Sequence, residues 1–157
     1  MGNEAYRGVW IFSEVPEINL ELLDLGRQMA DPLGVELSTV VVGERSAERA
    51  RECIAHGADR VYVSEHAALA RFQVEPYTDL LAGLVQQHRP EILLVGATRR
   101  GKELAPRLAT RLRTGCAADC ISLKVDGGSR DLEVQRVVYS GNALATLTYR
   151  GRPQIAT

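Results

Sequence analysis

Short apolar runs alternate with longer amphipathic segments through the first 112 residues, and this alternation restricts the fold more than any other feature of the sequence. The apolar runs are rich in β-branched and aromatic residues, as in strands that are buried on both faces. The segments between them carry apolar residues three and four positions apart, which predicts helices with one buried face. Strands that alternate with helices form parallel sheets covered by helices on both faces. The predicted strands are residues 8–13, 35–42, 60–63 and 91–95.

The predicted helices have recognisable ends. Pro32 and Gly34 end the first helix, and Ser46 is placed to cap the second. Pro76 lies near the first turn of the third helix, where a missing amide hydrogen costs little, and Pro90 halts that helix. These signals separate each helix from the strand that follows it.

From Cys120 onward, apolar and polar residues alternate as they do in antiparallel strands. Residues 126–129, Asp-Gly-Gly-Ser, mark a turn between two such segments. The predicted strands of this part are residues 121–125, 132–139 and 143–149. We therefore expect an α/β fold with three layers, α/β/α, in which a mainly parallel sheet is extended by antiparallel strands at its C-terminal end.

Composition restricts the partners of the chain. Its 19 Lys and Arg residues are matched by 20 Asp and Glu residues, so the basic excess of a nucleic-acid-binding protein is missing. No apolar run approaches the roughly 20 residues that cross a bilayer, and we expect no membrane insertion. Three cysteines without CxxC spacing and a start without a signal peptide favour a cytoplasmic location. At 157 residues, the chain fits one domain, and we expect residues 1–157 to form it.

The glycine-flanked segment after the fourth strand is the candidate ligand site, because parallel sheets bind ligands beyond the carboxyl ends of their strands. Glycines permit close approach of a ligand to the backbone, and free amide groups at the following helix attract phosphate or carboxylate groups. The candidate cofactor-binding residues are Gly96, Thr98, Gly101 and Lys102. In the alternative interpretation, the glycines only turn the chain and the nearby cations are solvated, since GxGxxG and GxxxxGK[ST] are both absent.

The sequence offers no catalytic or metal-binding constellation. The motifs GxSxG and HExxH are absent, and no histidine accompanies the cysteines to complete a metal set. We therefore expect no catalytic residues, no metal and no enzyme activity of the chain by itself. Among the late polar residues, Asn142 is predicted to serve a turn with positive φ and Arg136 to face solvent. The alternative for Asp119, Arg136 and Asn142 is a role at a subunit or domain junction.

Two segments resemble a known family. Residues 96–109 (GATRRGKELAPRLA) and 114–120 (TGCAADC) are similar to the Gly-Ala-Thr-x-x-Gly-Arg-Asp-Leu-Ala-Pro-Arg and Thr-Gly-Leu-Thr-Ala-Asp-Cys segments of electron transfer flavoprotein alpha subunits. Residues 57–63, 140–146 and 152–157 add to this resemblance, which covers nearly the whole chain. The resemblance is to the amino-terminal domain of these subunits. It implies a Rossmann-like fold of the adenine-nucleotide-hydrolase-like kind.

The resemblance also implies a role. In this family, the alpha amino-terminal domain and the beta subunit form a base for a carboxy-terminal domain that holds most of the FAD site. That domain is absent from this sequence, so the chain is either an excised fragment or a natural stand-alone module. The implied partners are the beta subunit and, through the full complex, flavin dehydrogenases and a quinone oxidoreductase. No cofactor is expected to bind tightly to this chain itself.

A nucleotide-binding module like the universal stress proteins is the competing hypothesis. Those proteins share the general architecture and hold ATP at a glycine loop after the fourth strand. Their Gly-x-x-Gly-x(9)-Gly-Ser/Thr pattern is absent after Gly96. A hydrolase or ligase of the PP-loop type would need a Ser-Gly-Gly-x-Asp-Ser-like loop after the first strand, and residues 13–16 do not supply one.

Overall fold

The structure is a computed structural model that describes residues 5–157. Its regular elements are, in chain order, β1 (Val9–Phe12), α1 (Pro16–Leu33), β2 (Leu37–Val42), α2 (Ser46–Ala55), β3 (Arg60–Ser64), α3 (Val74–His88), β4 (Ile92–Val95), α4 (Arg99–Leu112), β5 (Cys116–Ala117), β6 (Cys120–Val125), β7 (Leu132–Val138), β8 (Ala143–Leu147) and β9 (Gln154–Ala156). Short 3-10 turns cover Ala67–Leu69 and Tyr139–Gly141. Six strands form one sheet in the order β3-β2-β1-β4-β9-β5, and all of its neighbouring strands are parallel.

Helices cover both faces of the parallel sheet. On one face, α1 and α2 pack against a core that includes Val9, Ile11 and Leu23. On the other face, α3 and α4 pack against a core that includes Trp10 and Phe12. The two cores alternate along β1 because successive side chains of a strand point to opposite faces. The predicted three-layer α/β/α fold is therefore confirmed.

The antiparallel strands follow the parallel ones along the chain, but they form a sheet of their own in the order β6-β7-β8. Leu132 and Val134 of β7 are buried in the core beside α1. After β8, the chain returns to the parallel sheet, where β9 pairs with both β4 and β5. The sequence pattern did not predict β9, because three residues without a following helix carry too little periodicity to mark a strand.

An ion pair between a buried carboxylate and a partly exposed arginine joins the two sheets. The Glu91 side chain is 1% exposed, and its carboxylate accepts hydrogen bonds from Arg130 Nε at 2.9 Å and from Arg130 Nη2 at 2.6 Å. These bonds raise the pKa of Arg130. Arg130 Nη1 also donates to the carbonyl of Leu33 at the end of α1. The turn before β7 is thereby fixed to the amino end of β4.

Two local predictions need correction. Ser46 is the first residue of α2 and not its cap; Arg45 occupies the cap position, and the Ser46 hydroxyl donates to Glu65. Asn142 has a negative φ of −86°, and its side chain donates to the Tyr139 carbonyl. Positive φ angles occur in the three residues Tyr139–Gly141 that precede it.

Candidate functional site

The predicted ligand loop joins β4 to α4. Thr98 is the N-cap of α4: its Oγ1 accepts a hydrogen bond from Gly101 N at 2.8 Å and donates one to Glu14 Oε1 at 2.7 Å. Glu14 follows β1, so the loop after β4 contacts the loop after β1 at the switch point of the sheet. The positive end of the helix dipole also stabilises a carboxylate at this position. The amino end of α4 therefore has internal partners.

Both glycines of the loop are required by close contacts within the protein. A Cβ atom at Gly96 would lie 2.7 Å from Ser13 Oγ, and a Cβ atom at Gly101 would overlap the carbonyl oxygen of Gly96. Lys102 Nζ forms an ion pair with Asp119 at 3.5 Å. The structure brings Gly96, Thr98 and Gly101 together with Glu14 and pairs the Lys102 ammonium group with Asp119. Cofactor binding by the four residues stays a prediction.

Exposed apolar side chains concentrate on the antiparallel sheet. Of the eight large hydrophobic residues that are exposed among residues 5–157, five belong to β6, β7, β8 or the turn between β7 and β8. We call four of them the β7–β8 apolar surface, namely Ile121, Val137, Tyr139 and Leu144. Leu147 lies opposite the buried Val134 and therefore belongs to the other face of the sheet. Val137 and Leu144 lie directly opposite each other on neighbouring strands, so their side chains share one face. The sequence did not single out these residues, because alternation alone does not show which face is covered.

The turn between β7 and β8 holds Tyr139 in an unusual backbone conformation. Tyr139 and Ser140 have φ angles of 51° and 53°, in the left-handed region that residues with a side chain rarely adopt, and Tyr139 is 80% exposed. Such strain concentrates at functional positions. The turn therefore presents an aromatic ring to solvent at some energetic cost.

Replacement of Ser140 by glycine is expected to raise the free energy of unfolding by up to about 1 kcal/mol, because glycine adopts the left-handed conformation without a steric penalty. Urea-induced unfolding measures this change. Ser129→Gly is the control, since Ser129 lies in another turn and is not among the residues with positive φ. A destabilised Ser140→Gly variant would show that the serine side chain stabilises the turn.

The cysteines occupy protected positions. Burial raises the pKa of the Cys116 thiol to about 11, and it also raises the pKa of Cys120. Burial raises the pKa of Tyr149, whose hydroxyl donates to the Ile155 carbonyl at 2.7 Å. Within residues 5–157, no group of three or more His, Cys, Asp or Glu side chains is arranged to hold a metal ion. Burial outweighs the nearby Arg136 guanidinium for both thiols, so neither pKa is lowered towards that of a reactive thiolate.

Two of the late polar residues lie where the two sheets meet. Asp119 has a φ of 61°, and its backbone amide donates to Thr157 Oγ1 at 2.8 Å. Arg136 was predicted to face solvent, but it is only half-exposed and its Nε atom is buried without a partner among the described residues. Its position opposite Cys120 on the packed face of the antiparallel sheet explains this burial.

The parallel sheet, its four helices and the loop at the switch point define a Rossmann-like α/β domain. A family model described as "Electron transfer flavoprotein domain" matches residues 12–157. The chain belongs to this family. No helix within residues 5–157 has the length and apolar character needed to span a bilayer.

Curated relatives specify the kind of subunit. The chain is 41% identical over its whole length to "Electron transfer flavoprotein subunit alpha" of Clostridium acetobutylicum, covering 48% of that protein. It is 43% identical to "Protein FixB" of Rhizobium meliloti, over 98% of the chain and 46% of the relative. For "Protein FixB" of Azotobacter vinelandii the identity is 42%, over 96% of the chain and 45% of the relative. The chain thus spans about half the length of these relatives, and the predicted resemblance to the alpha-subunit amino-terminal domain is confirmed.

Proposed function

We propose that this chain is a scaffold domain of an electron transfer flavoprotein alpha subunit, which pairs with the beta subunit and supports the FAD domain. The observation that carries this proposal is the β7–β8 apolar surface. Exposed apolar side chains that cluster on one element are typical of protein–protein interaction sites, whereas isolated ones are normal on any surface. Leu144 is 60% exposed and lies beside Val137, so the two provide a contiguous apolar contact.

The free edge of β8 supports the same interface. Within the described residues, β8 pairs with β7 on one side only. Its sequence, Ala-Leu-Ala-Thr-Leu, contains no charge, proline or other feature that natural edge strands use to prevent pairing. An unprotected edge with apolar neighbours favours a surface that another chain covers.

In this proposal, a flavin that is bound mainly by another domain carries the electrons. The full-length protein would hold FAD mainly through a carboxy-terminal domain, receive electrons from flavin dehydrogenases in the cytoplasm, and pass them to an acceptor such as a quinone oxidoreductase. The chain itself would act as a carrier component and not as an enzyme. The contacts of Gly96, Thr98 and Gly101 support a carrier role without a cofactor of its own, since all of these contacts are made within the protein and stabilise the loop itself.

The interface is tested by replacing Leu144 with aspartate in a chain that is co-purified with the beta subunit of its own organism. We expect the affinity to fall by about 30-fold or more, because a hot-spot residue contributes at least about 2 kcal/mol and a buried charge adds a penalty. Analytical ultracentrifugation of the two subunits measures this affinity.

Val63→Asp is the matched control, since Val63 is also an exposed apolar strand residue but lies on β3. Its affinity for the beta subunit should stay within about twofold of the wild type, as expected for a residue outside an interface. Equal affinities of the Leu144→Asp variant and the wild type would reject the β7–β8 apolar surface as the interface.

The competing nucleotide-binding hypothesis is tested by calorimetric titration of the chain with ATP, AMP and FAD. We expect no binding at micromolar concentrations, because the Glu14 carboxylate lies at the amino end of α4, where a phosphate group would have to bind. Micromolar binding that disappears in the Lys102→Ala variant would instead establish the cofactor role predicted for Gly96, Thr98, Gly101 and Lys102.

A further inference from the structure

A cavity of about 660 Å³ opens at the amino ends of β1, β2 and β3, beside the last turn of α3. It lies at the opposite end of the parallel sheet from the Gly96 loop, and the β7–β8 apolar surface contributes no residue to its lining. The residues that matter for its chemistry are Trp10, Ser38, Tyr62 and His88. The interface proposed above and this cavity are therefore independent of each other.

The short side chain at position 38 leaves room for the cavity. Ser38 interrupts the apolar series of β2, and it lies between Trp10 on β1 and Arg60 on β3 in the register of the parallel sheet. Residues in register on neighbouring parallel strands point to the same face. A small polar residue between two large ones therefore forms a depression in the sheet surface.

Two polar groups at the floor of the cavity have no hydrogen-bond partner. Trp10 is 3% exposed and Ser38 is 2% exposed, yet neither the Trp10 indole N–H nor the Ser38 hydroxyl bonds to any described residue. Both residues line the cavity. Gly8 lies beside the indole, and a Cβ atom at this position would lie 3.9 Å from Trp10 Nε1. Among the described residues, the buried polar side-chain atoms without a partner are Glu14 Oε2 and Arg136 Nε, so the Trp10 N–H and the Ser38 hydroxyl are accessible from the cavity. A bound acceptor can replace water at these two groups.

Aromatic rings form the walls. The centroids of Tyr62 and His88 are 4.6 Å apart, and the centroids of Trp10 and Tyr62 are 4.5 Å apart. Tyr62 and His88 are half-buried, so each ring keeps a surface that a guest ring can contact. Arg60 at the rim is already paired with Glu36 at 3.2 Å.

We infer that this cavity binds a small planar aromatic molecule that carries a carbonyl or carboxylate oxygen. The oxygen accepts hydrogen bonds from the Trp10 indole N–H and the Ser38 hydroxyl, and the ring packs against Tyr62 and His88. A tryptophan N–H is a donor only, so the guest must present an acceptor at its inner end. A guest with only donors at that end would bind more weakly, because it could donate to the Ser38 hydroxyl but would leave the indole N–H without a partner.

Trp10 is the single tryptophan of the sequence, so its indole N–H gives one resolved NMR signal that reports on the floor of the cavity. The full chain is titrated with benzamide and benzoate, which carry acceptor oxygens, and with benzylamine, which carries donors only. We expect saturable shifts with a Kd of about 1 mM for at least one of the two acceptor probes, as is reasonable for so few atoms. Benzylamine should bind at least about tenfold more weakly, which corresponds to a loss of about 1.4 kcal/mol of binding free energy.

Ser38→Val fills the depression and removes the hydroxyl, and Ser38→Ala removes the hydroxyl alone. Both should weaken binding at least about fivefold, as expected for the loss of one hydrogen bond, whereas Thr146→Val on β8 should leave the Kd unchanged. If neither acceptor probe shifts the signal in a saturable way, the inference is wrong. It is equally wrong if benzylamine binds as well as benzamide, or if folded Ser38→Ala protein binds as well as the wild type.

Discussion

Replacement of Arg130 by methionine is expected to lower the free energy of unfolding by about 3–5 kcal/mol. The Glu91 carboxylate is 1% exposed, and Arg130 supplies two of its hydrogen bonds. Without the guanidinium group, the charged carboxylate stays buried, and within residues 5–157 it keeps only the hydrogen bond that the Gly8 backbone amide donates to Glu91 Oε1 at 3.3 Å. Urea-induced unfolding, followed by circular dichroism, measures the loss.

The controls separate a pair with a buried carboxylate from an exposed pair. The double variant Glu91→Leu/Arg130→Met should recover a large part of the lost stability, because replacing both partners by apolar residues removes the unpaired charge. Arg107→Met breaks an exposed pair with Glu75 and should cost no more than about 1 kcal/mol. If the Arg130→Met variant is as stable as the Arg107→Met variant, the expectation is wrong and the Glu91 carboxylate is hydrated in the folded state.

Replacement of Gly101 by alanine is expected to cost about 3–5 kcal/mol, or to prevent folding, because the new Cβ atom would overlap the carbonyl oxygen of Gly96. The obstacle is backbone and not the end of a flexible side chain, so it moves only if the loop and the first turn of α4 move with it. Thermal unfolding and the yield of folded protein report the effect.

Gly83→Ala is the matched control. Gly83 lies in the exposed part of α3, and no atom lies within 4 Å of a Cβ atom placed there. Alanine should therefore stabilise this helix by about 0.5–1 kcal/mol, the difference in helix propensity between the two residues. Should Gly101→Ala behave like Gly83→Ala, the loop would be more open than the contacts indicate.

The sequence was most informative where periodicity was strong. Four strands of the parallel sheet and all four helices were predicted close to their observed positions, because buried strands and amphipathic helices differ in period and length. The strand β9 was missed, since three residues carry no period. The separate antiparallel sheet was not predicted either, because alternation shows that a strand has two faces but does not show which sheet it joins.

The candidate sites depended on contacts between distant residues. The glycines of the loop were visible in the sequence, but the bond from Thr98 to Glu14 joins residues 84 positions apart. The cavity beside Trp10 arises from the register of β1, β2 and β3, which no local pattern encodes. The β7–β8 apolar surface likewise depends on which face of its sheet packs against the core.

The place of β9 has a consequence for the order in which the chain becomes structured. Within residues 5–157, the short strand β5 pairs with the parallel sheet only through β9, which follows it by almost 40 residues along the chain. During synthesis, residues 116 and 117 therefore cannot pair with the sheet until residues 154–156 have been made. This edge of the sheet stays incomplete until then. Non-local pairing of this kind slows folding, because the chain must close a long loop before the strand is stabilised.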